Sequence, residues 1–537
     1  MSLLDLVLFG GVLIDGTGAP ARPTDVGIVG EHVVALGDLR RREAHRATDV
    51  SGFFVTPGFI DIHAHSDLTL LVDSRAASKV RQGVTSEISG QCGLSAAPLS
   101  GQARDELHFW AARFRLEPGW HSLADYLATV ERRGMALNFG TLVGHGNLRY
   151  AVMGGADWPA TPAEREAMAK MLAQALEEGA LGLSSGLFYA PGSYADLPEL
   201  AALGQVVATY GGLYASHIRN EASRLDAALE EAMEVGRTSG VPVQISHLKV
   251  ASRACWGQAG QILDRLDAVR AEGLDLGWDQ YPYTAAATSL DAVIPPSFHA
   301  GGTAALLQRL RNQQDRARIA RALGAEAASD WENLALEPGW EAITLSFHPT
   351  RPDLVGRTIA HIAADSGSDA LETALDLVLE TQAQAECMIF CMEEGDVATI
   401  LRHPCTMVAT DAEALAADGP LSLGMPHPRT YGTFPRVLAH YVREQRLLTW
   451  EEAVHKMTGL PAARLGLCDR GVVREGAFAD LVVFNPAEIA DTATFTEPRR
   501  YPEGICHVLV NGRFVVYDGC QTDERPGQAL RLRREGF

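Results

Sequence analysis

Two histidines separated by one residue, His63 and His65, close an apolar run that reads GFIDIHAH over residues 58–65. Because side chains alternate between the two faces of a β-strand, both imidazoles point to the same face if this run is a strand. Imidazole nitrogens that share a face are suitable ligands for a metal ion such as zinc. The spacing therefore predicts one edge of a metal site directly after this strand.

Further side chains with metal-binding chemistry follow other apolar runs. Each of them alone has an ordinary explanation as a buried polar group, but several runs that each end in such a residue are hard to explain by packing. Thiolate, imidazole and carboxylate together form a ligand set suited to zinc. The residues are Cys92 after EISGQ, His217 after LYAS, His247 after VQIS and Asp411 after VAT.

Strand-like runs alternate with helix-like stretches through the middle of the chain, and residues 162–179 and 225–240 are the clearest helices. This alternation predicts a parallel sheet. Eight such strands predict an α/β fold, a (β/α)8 TIM barrel, with its active site at the carboxyl ends of the strands. The predicted strands end at Ile62, Ser89, Gly144, Ser185, Ser216, Ser246, Tyr281 and Thr410.

The two ends of the chain share a different pattern, in which short apolar runs are broken by Gly, Asp and an Asn-Gly turn. We predict that residues 1–55 and 468–537 form one small β-sandwich domain, and that residues 56–287 and 349–467 form the barrel. The connection after Tyr281 is longer than a single crossover needs. Residues 288–348 are therefore expected to form an inserted helical subdomain that could serve as a lid.

Composition narrows the class of protein. The net charge is −21 without a run of Lys or Arg, which argues against a nucleic-acid partner. No apolar stretch approaches the roughly 20 residues of a membrane span, and the N-terminus lacks the basic start of a signal peptide. The eight cysteines form no CxxC pair, which favours a reducing compartment. We expect a cytoplasmic protein that acts on a small molecule, and the oligomeric state stays open.

With these residues the chain resembles the amidohydrolase superfamily and, more narrowly, the N-acyl-D-amino-acid deacylases, or D-aminoacylases. The similar stretches follow the family's order between about residues 50 and 470. They are PGFIDIHAHSD, EISGQCG, LVGHGNLR, GLSSGLFYAPG, ASHIRNE, ISHLKV, DQYPYTA and HPRTYGTFPRVLAHYVRE. The resemblance implies a zinc-dependent barrel with a flanking β-sandwich, which hydrolyses the amide bond of N-acyl-D-amino acids to a carboxylic acid and a D-amino acid.

The resemblance also implies a division of the ligands between one tightly bound Zn(II) and a second, weaker metal position. Many amidohydrolases bridge two metals with a carboxylated lysine from the fourth strand. Between Cys92 and His217 this sequence has one lysine, Lys170, which lies in the middle of a predicted helix. Cys92 is the natural substitute. The implied main site is Cys92, His217 and His247, and the implied second site is His63, His65 and Asp411.

Asp411 is implied as the catalytic residue. Zinc lowers the pKa of bound water toward about 7 and polarises an amide carbonyl. Asp411 would accept the proton of that water and return it to the leaving amine. The alternative is that Asp411 only ligates the metal or orients another ligand and takes no part in proton transfer.

The substrate carboxylate needs a cation, and its variable group needs a pocket. Lys249 and Arg219 each lie two residues after a predicted ligand, and Lys249 is one of four lysines in the chain. Arginine offers a bidentate partner for a carboxylate. The resemblance favours Lys249, Tyr281 and Arg429 as carboxylate binders, with Arg219 as a further candidate and Phe188 and Tyr189 lining the pocket for the side chain.

Two segments near the predicted substrate depart from the family. The loop after Asp411 is several residues longer, and Ala287 stands in a turn that usually contains serine. The amino acid and the acyl group therefore stay open, and D-selectivity rests on the resemblance alone. The alternatives are an amidohydrolase that acts on cyclic amides, N-carbamoyl amino acids or dipeptides, and, more remotely, a non-catalytic relative. The presence of all six predicted metal residues argues against the last.

Overall fold

The computed structural model describes residues 3–324 and 331–532. Its centre is a barrel of parallel strands, with helices between consecutive strands. The eight strands are β1 (Phe59–Asp61), β2 (Val84–Ser89), β3 (Asn138–Thr141, continued by Val143–Gly144), β4 (Gly182–Gly186), β5 (Leu213–His217), β6 (Val243–Ile245), β7 (Leu276–Gln280) and β8 (Thr406–Val408).

Closure of the barrel joins β8 to β1. The amide of Thr410 donates to Asp61 Oδ1 over 2.9 Å, and the amide of Asp411 donates to the carbonyl of His63 over 2.9 Å. Ala64 and Ala412 then pair in parallel. The predicted (β/α)8 fold is thus confirmed, and each strand ends within two residues of its predicted end. The segments after β1 and β8 therefore lie side by side at the carboxyl end of the barrel.

Local sequence explains where the outer helices begin. The helix Pro162–Glu177 starts with Thr161 as its N-cap, Pro162 at its first turn and Glu164 closing a capping box. The α-helices are Thr69–Val72, Ala77–Val80, Gly101–Ala112, Leu123–Arg133, His145–Met153, Pro162–Glu177, Leu197–Tyr210, Leu225–Ser239, Ala259–Ala271, Thr303–Leu310, Gln313–Leu323, Ile359–Ser366, Ala370–Glu380, Glu394–Arg402, Arg429–Arg436, Trp450–Met457 and Gly459–Arg464.

Two sheets built from both chain ends pack beside the barrel. One has the strand order His32–Gly37, Asp25–Val29, Leu4–Phe9, Ala44–Asp49. The other has the order Cys520–Gln521, Arg513–Tyr517, Ile505–Val510, Leu481–Phe484, Phe54–Pro57, Val12–Leu13, Arg22–Pro23. Alternate apolar side chains of the two sheets share one buried core, which includes Leu8, Val33, Val55, Val483 and Leu509.

The long connection between β7 and β8 holds more than helices. Three antiparallel strands, Ala286–Ser289, Ile343–Phe347 and Glu386–Ile389, form a small sheet beside the helices of this connection. The predicted inserted subdomain, residues 288–348, holds the helices Thr303–Leu310 and Gln313–Leu323 and also the strand Ile343–Phe347, which was not predicted because apolar runs of four or five residues carry too little periodicity to be assigned from sequence. Within the described ranges, no helix is both long enough and apolar enough to cross a membrane.

Candidate active site

Four potential metal ligands meet at the carboxyl end of the barrel: His63, Cys92, His247 and Asp411. Cys92 Sγ lies 3.4 Å from His63 Nε2 and 3.3 Å from His247 Nε2. Asp411 Oδ1 lies 3.3 Å from His63 Nε2. Ligand atoms that sit about 2.0–2.3 Å from a tetrahedral zinc ion are about 3.3–3.7 Å apart, so these separations match the edges of a zinc tetrahedron.

The remaining two predicted ligands border this group. His65 Nε2 lies 2.9 Å from Asp411 Oδ1. The ring of His217 lies 4.4 Å from that of His247, and a second set of ligand atoms, His217, Glu221 and His247, also falls within 4.8 Å of one another. The structure thus brings all six predicted metal residues together, and it adds Glu221 as a neighbour of the two single histidines.

Three of these residues have left-handed backbone conformations, which non-glycine residues rarely adopt. Their φ values are 53° for Cys92, 37° for His247 and 49° for Asp411. Such strain costs on the order of 1–3 kcal/mol per residue and persists where the surrounding structure enforces it. At these positions the chain turns sharply out of β2, β6 and β8, which directs each side chain over the end of the barrel.

The charges in this cluster favour the anionic forms of its ligands. Burial opposes ionisation of the Cys92 thiol, but the charges of His63 and His247 hold its pKa well below the usual range. Burial likewise opposes ionisation of Asp411, but the charges of Arg429 and His247 hold the pKa of its carboxyl well below the usual range. A metal ion binds a thiolate and a carboxylate, so the protein environment suits a cation at this point.

Side chains around the cluster fix its orientation. Asp279 lies 3.3 Å from His63 Nδ1 and accepts from the amide of His247 over 2.8 Å. Lys249 Nζ lies 2.5 Å from Glu221 Oε1 and 2.7 Å from His247 Nδ1. Histidines that ligate metals commonly bond a carboxylate through their second nitrogen. Asp279 and Glu221 are in that position. Neither was predicted from the sequence, because single acidic residues in or near strands are common and form no motif by themselves.

A cavity of about 460 Å³ opens onto the cluster and has the size of a small-molecule site. Arg429 Nη1 lies 2.7 Å from Asp411 Oδ2, and the Arg429 guanidinium lies 4.5 Å from the ring centre of Tyr281. The buried hydroxyl of Tyr281 has no hydrogen-bond partner among residues 3–324 and 331–532. The predicted residues that line this cavity are His65, Cys92, Phe188, Tyr189, His217, His247, Lys249, Tyr281, Asp411 and Arg429.

For Arg219 the structure corrects the prediction. Its guanidinium pairs with Glu231 at 2.8 Å and donates to the carbonyl oxygens of Ser193 and Ala195. Arg219 is absent from the cavity wall, because these partners hold it against the helix Leu225–Ser239. Its donors are therefore engaged in joining a loop to that helix.

The model of the amidohydrolase family matches residues 46–516. The chain belongs to this family. An amidohydrolase from Alcaligenes xylosoxydans xylosoxydans, N-acyl-D-glutamate deacylase, is 39% identical over 530 residues, which cover 98% of this chain and 96% of the relative. The D-aminoacylase of the same organism is 38% identical over 529 residues, which cover 98% of this chain and 97% of the relative.

A solved amidohydrolase structure is also similar over its full length. It is the N-acyl-D-glutamate deacylase from Bordetella bronchiseptica, complexed with zinc and a phosphonate inhibitor that mimics the tetrahedral intermediate of the reaction. The two chains superpose with a TM-score of 0.82 at 37% identity, over 99% of this chain and 100% of that one. The family and fold expected from the sequence are therefore confirmed.

Proposed function

We propose that this amidohydrolase hydrolyses the amide bond of N-acyl-D-amino acids and that it uses zinc to do so. The observation that carries the proposal is the cluster of His63, Cys92, His247 and Asp411, whose separations suit a tetrahedral ion. The similarity to two deacylases of N-acyl-D-amino acids supports the substrate class. Zinc, when bound, would supply Lewis acidity, which acidifies water and polarises an amide carbonyl.

Asp411 is the proposed general base. Its low pKa keeps the carboxyl ionised at neutral pH, so one of its oxygens is free to take up a proton during the reaction, and the same carboxyl can then return that proton to the departing amine. Asp411 contacts both His65 and Arg429, so its orientation is restricted before the substrate binds. A single carboxylate is sufficient for both transfers, because the proton moves from the nucleophile to the leaving group.

The other side chains of the cavity bind and orient the substrate. Lys249, Tyr281 and Arg429 lie together on the cavity wall and offer an ammonium, a hydroxyl and a guanidinium to the substrate carboxylate. In the free protein Lys249 is paired with Glu221, and Arg429 is paired with Asp411. Binding of a substrate carboxylate would therefore compete with these ion pairs. Phe188 and Tyr189, whose rings pack on His217, cover the apolar side of the cavity.

The alternative chemistry on the same scaffold is hydrolysis of cyclic amides, N-carbamoyl amino acids or dipeptides. The strand β4 has the sequence GLSSG, and Lys170 lies 75% exposed on the helix Pro162–Glu177, so β4 supplies no bridging lysine. This supports the deacylase.

We also propose a cytoplasmic location, because all eight cysteines are free thiols.

The test is release of amine from paired N-acetyl-D- and N-acetyl-L-amino acids by the zinc-loaded protein, with bound zinc measured on the same sample. We expect activity on the D series alone. Bound zinc without activity on either series would overturn the deacylase proposal and leave cyclic amides, carbamoyl compounds and peptides to be assayed.

A further inference from the structure

Arg113 lines the active-site cavity and lies between two acidic side chains. One guanidinium nitrogen pairs with Glu386, and the other lies 3.6 Å from Glu413. These partners come from the small antiparallel sheet and from the loop after β8, respectively. Three separate parts of the chain therefore converge on one ion-paired unit, which we name the Arg113 triad: Arg113, Glu386 and Glu413.

The guanidinium of the Arg113 triad is held rigidly. Its carbon lies 4.6 Å from the ring centre of Phe114 and 5.2 Å from that of Phe347, and the side chain is only 9% exposed. Burial opposes its charge, yet Glu386 and Glu413 raise the pKa of Arg113 above its usual value. Arg113 therefore remains a cation whose charge is already neutralised within the protein.

The two carboxylates of the triad face the cavity more than the arginine does. Glu386 is 33% exposed and Glu413 is 29% exposed, and all three residues line the cavity. Glu413 lies two residues after Asp411 in the sequence. The Arg113 triad is thus part of the same cavity as the reacting groups, and it places two carboxyl groups against one guanidinium there.

The rest of the described cavity wall offers no spare cation for an acidic side chain. Its lysine and arginine residues are Arg113, Lys249 and Arg429, against eight carboxyl side chains. Lys249 and Arg429 are the proposed partners of the α-carboxylate. A second carboxylate on the substrate would meet a guanidinium that two glutamates already neutralise, and like charges placed together disfavour binding.

We propose that this enzyme acts on N-acyl-D-amino acids with neutral or basic side chains and rejects those with acidic side chains, and that Glu386 and Glu413 enforce this choice by neutralising Arg113. The inference rests on the proposed function. It differs from what the names of the N-acyl-D-glutamate and N-acyl-D-aspartate deacylases would suggest for this chain. The apolar residues of the cavity wall, which include Trp110, Phe188 and Leu423, suit aliphatic, aromatic or long-stemmed basic side chains.

The experiment compares kcat/KM for N-acetyl-D-leucine, N-acetyl-D-arginine and N-acetyl-D-glutamate with the full-length zinc-loaded protein. We expect the glutamate substrate to be at least about 100-fold poorer than the better of the other two. The ratio of two substrates on one sample is independent of the fraction of active enzyme, so partial misfolding of a variant does not obscure it.

Two variants should change the ratio of kcat/KM for the glutamate substrate to kcat/KM for the arginine substrate in opposite directions. The double variant Glu386→Gln/Glu413→Gln releases Arg113 and should improve the relative rate on the glutamate substrate by about 10-fold or more. Arg113→Gln removes the cation and should favour the arginine substrate further. Glu166→Gln, at a residue 67% exposed on an outer helix, is the matched control and should leave the ratio unchanged.

The outcomes separate the two proposals. Activity on D-substrates with glutamate equal to or better than leucine and arginine overturns the inference about the triad and leaves the deacylase intact. An unchanged ratio in both triad variants overturns it as well. A zinc-loaded protein that releases no amine from any D-substrate overturns the proposed function, and the inference falls with it.

Discussion

The guanidinium of Arg429 binds the carboxylate of Asp411 directly: Arg429 Nη1 lies 2.7 Å from Asp411 Oδ2, and both side chains are almost completely buried. Arg429 begins the helix Arg429–Arg436, whereas Asp411 follows β8, so the long loop between them is bridged at the reacting centre. The proposed base and a proposed substrate binder are therefore partners before any substrate arrives, and a change at either residue should affect both functions.

Arg429→Gln is expected to lower kcat by about 10- to 100-fold as well as to raise KM. Loss of the guanidinium removes the charge that lowers the pKa of Asp411 and the partner that orients its carboxylate, in addition to a contact with the substrate. Arg429→Lys retains the charge without the planar fork and should recover part of kcat. Steady-state kinetics decide the matter: a higher KM with unchanged kcat would restrict Arg429 to substrate binding.

Asp411→Asn should lower kcat/KM by at least about three orders of magnitude while most of the zinc is retained. The amide keeps the shape of the side chain but cannot accept a proton from water. Asp418→Asn makes the same change in the same loop at a side chain that is 71% exposed, and it serves as the control. Near-normal turnover in Asp411→Asn at normal zinc content would assign proton transfer to another group.

Cys92→Ser should reduce bound zinc, with activity falling in parallel. Cys92 Sγ contacts both His63 and His247, so its removal takes the central ligand from the cluster. Cobalt(II) substitution gives an independent measurement, because a cobalt–thiolate absorption band should be present in the native protein and absent from the variant. Cys468→Ser, at an exposed free thiol, should leave both the metal content and the band unchanged.

Lys79→Met is expected to destabilise the fold by roughly 3–5 kcal/mol, because it leaves a buried carboxylate without its partner. Lys79 Nζ donates to Asp61 Oδ2 at 2.7 Å, to Thr410 Oγ1 at 2.6 Å and to the carbonyl of Ala412 at 2.8 Å, on both sides of Asp411. Urea unfolding would measure the loss. Lys170→Met, at an exposed lysine, is the matched control, and equal effects of the two changes would refute the structural role of Lys79.

Glu199→Gln should weaken the fold by about 3 kcal/mol at pH 7 and by less in acid. Burial alone would raise the pKa of Glu199, but His145 and Arg149 lower it from 4.5 to about 2. A depressed pKa stabilises the fold fully above the unfolded value near pH 4.5, and this contribution is lost as the pH falls toward 2. Urea unfolding of both proteins at pH 7, 5 and 3 should show a difference that shrinks only below pH 5. A constant difference would exclude ionisation of Glu199 as its source.

The metal residues could be predicted from the sequence because two local rules act on them. Alternation along a strand places His63 and His65 on one face. Parallel strands of a barrel bring their carboxyl ends to one rim, so Cys92, His247 and Asp411 meet there however far apart they are in the chain. Neither rule needs knowledge of a particular tertiary contact, and the structure has the same arrangement.

The positions of side chains beyond the strand ends depend on tertiary structure. Lys249 and Arg219 each follow a histidine by two residues, yet Lys249 enters the cavity and Arg219 binds Glu231. Alternation applies only while the backbone stays extended: β5 ends at His217, two residues before Arg219, and after His247 the φ of 37° means that alternation does not place Lys249 either. Beyond the end of the strand, the available ion-pair and hydrogen-bond partners determine where each side chain points.

The Arg113 triad depends still more on tertiary structure. Arg113 and Glu386 are 273 residues apart, in a helix-terminal segment and in a strand that was not predicted. The amino-acid sequence by itself determined the barrel, its sandwich and the metal-binding rim, because strand periodicity and strand-end chemistry are local properties of the chain. Only the folded structure decided which charges are neutralised and which can meet a substrate, because ion pairing depends on distances between segments that the sequence leaves far apart.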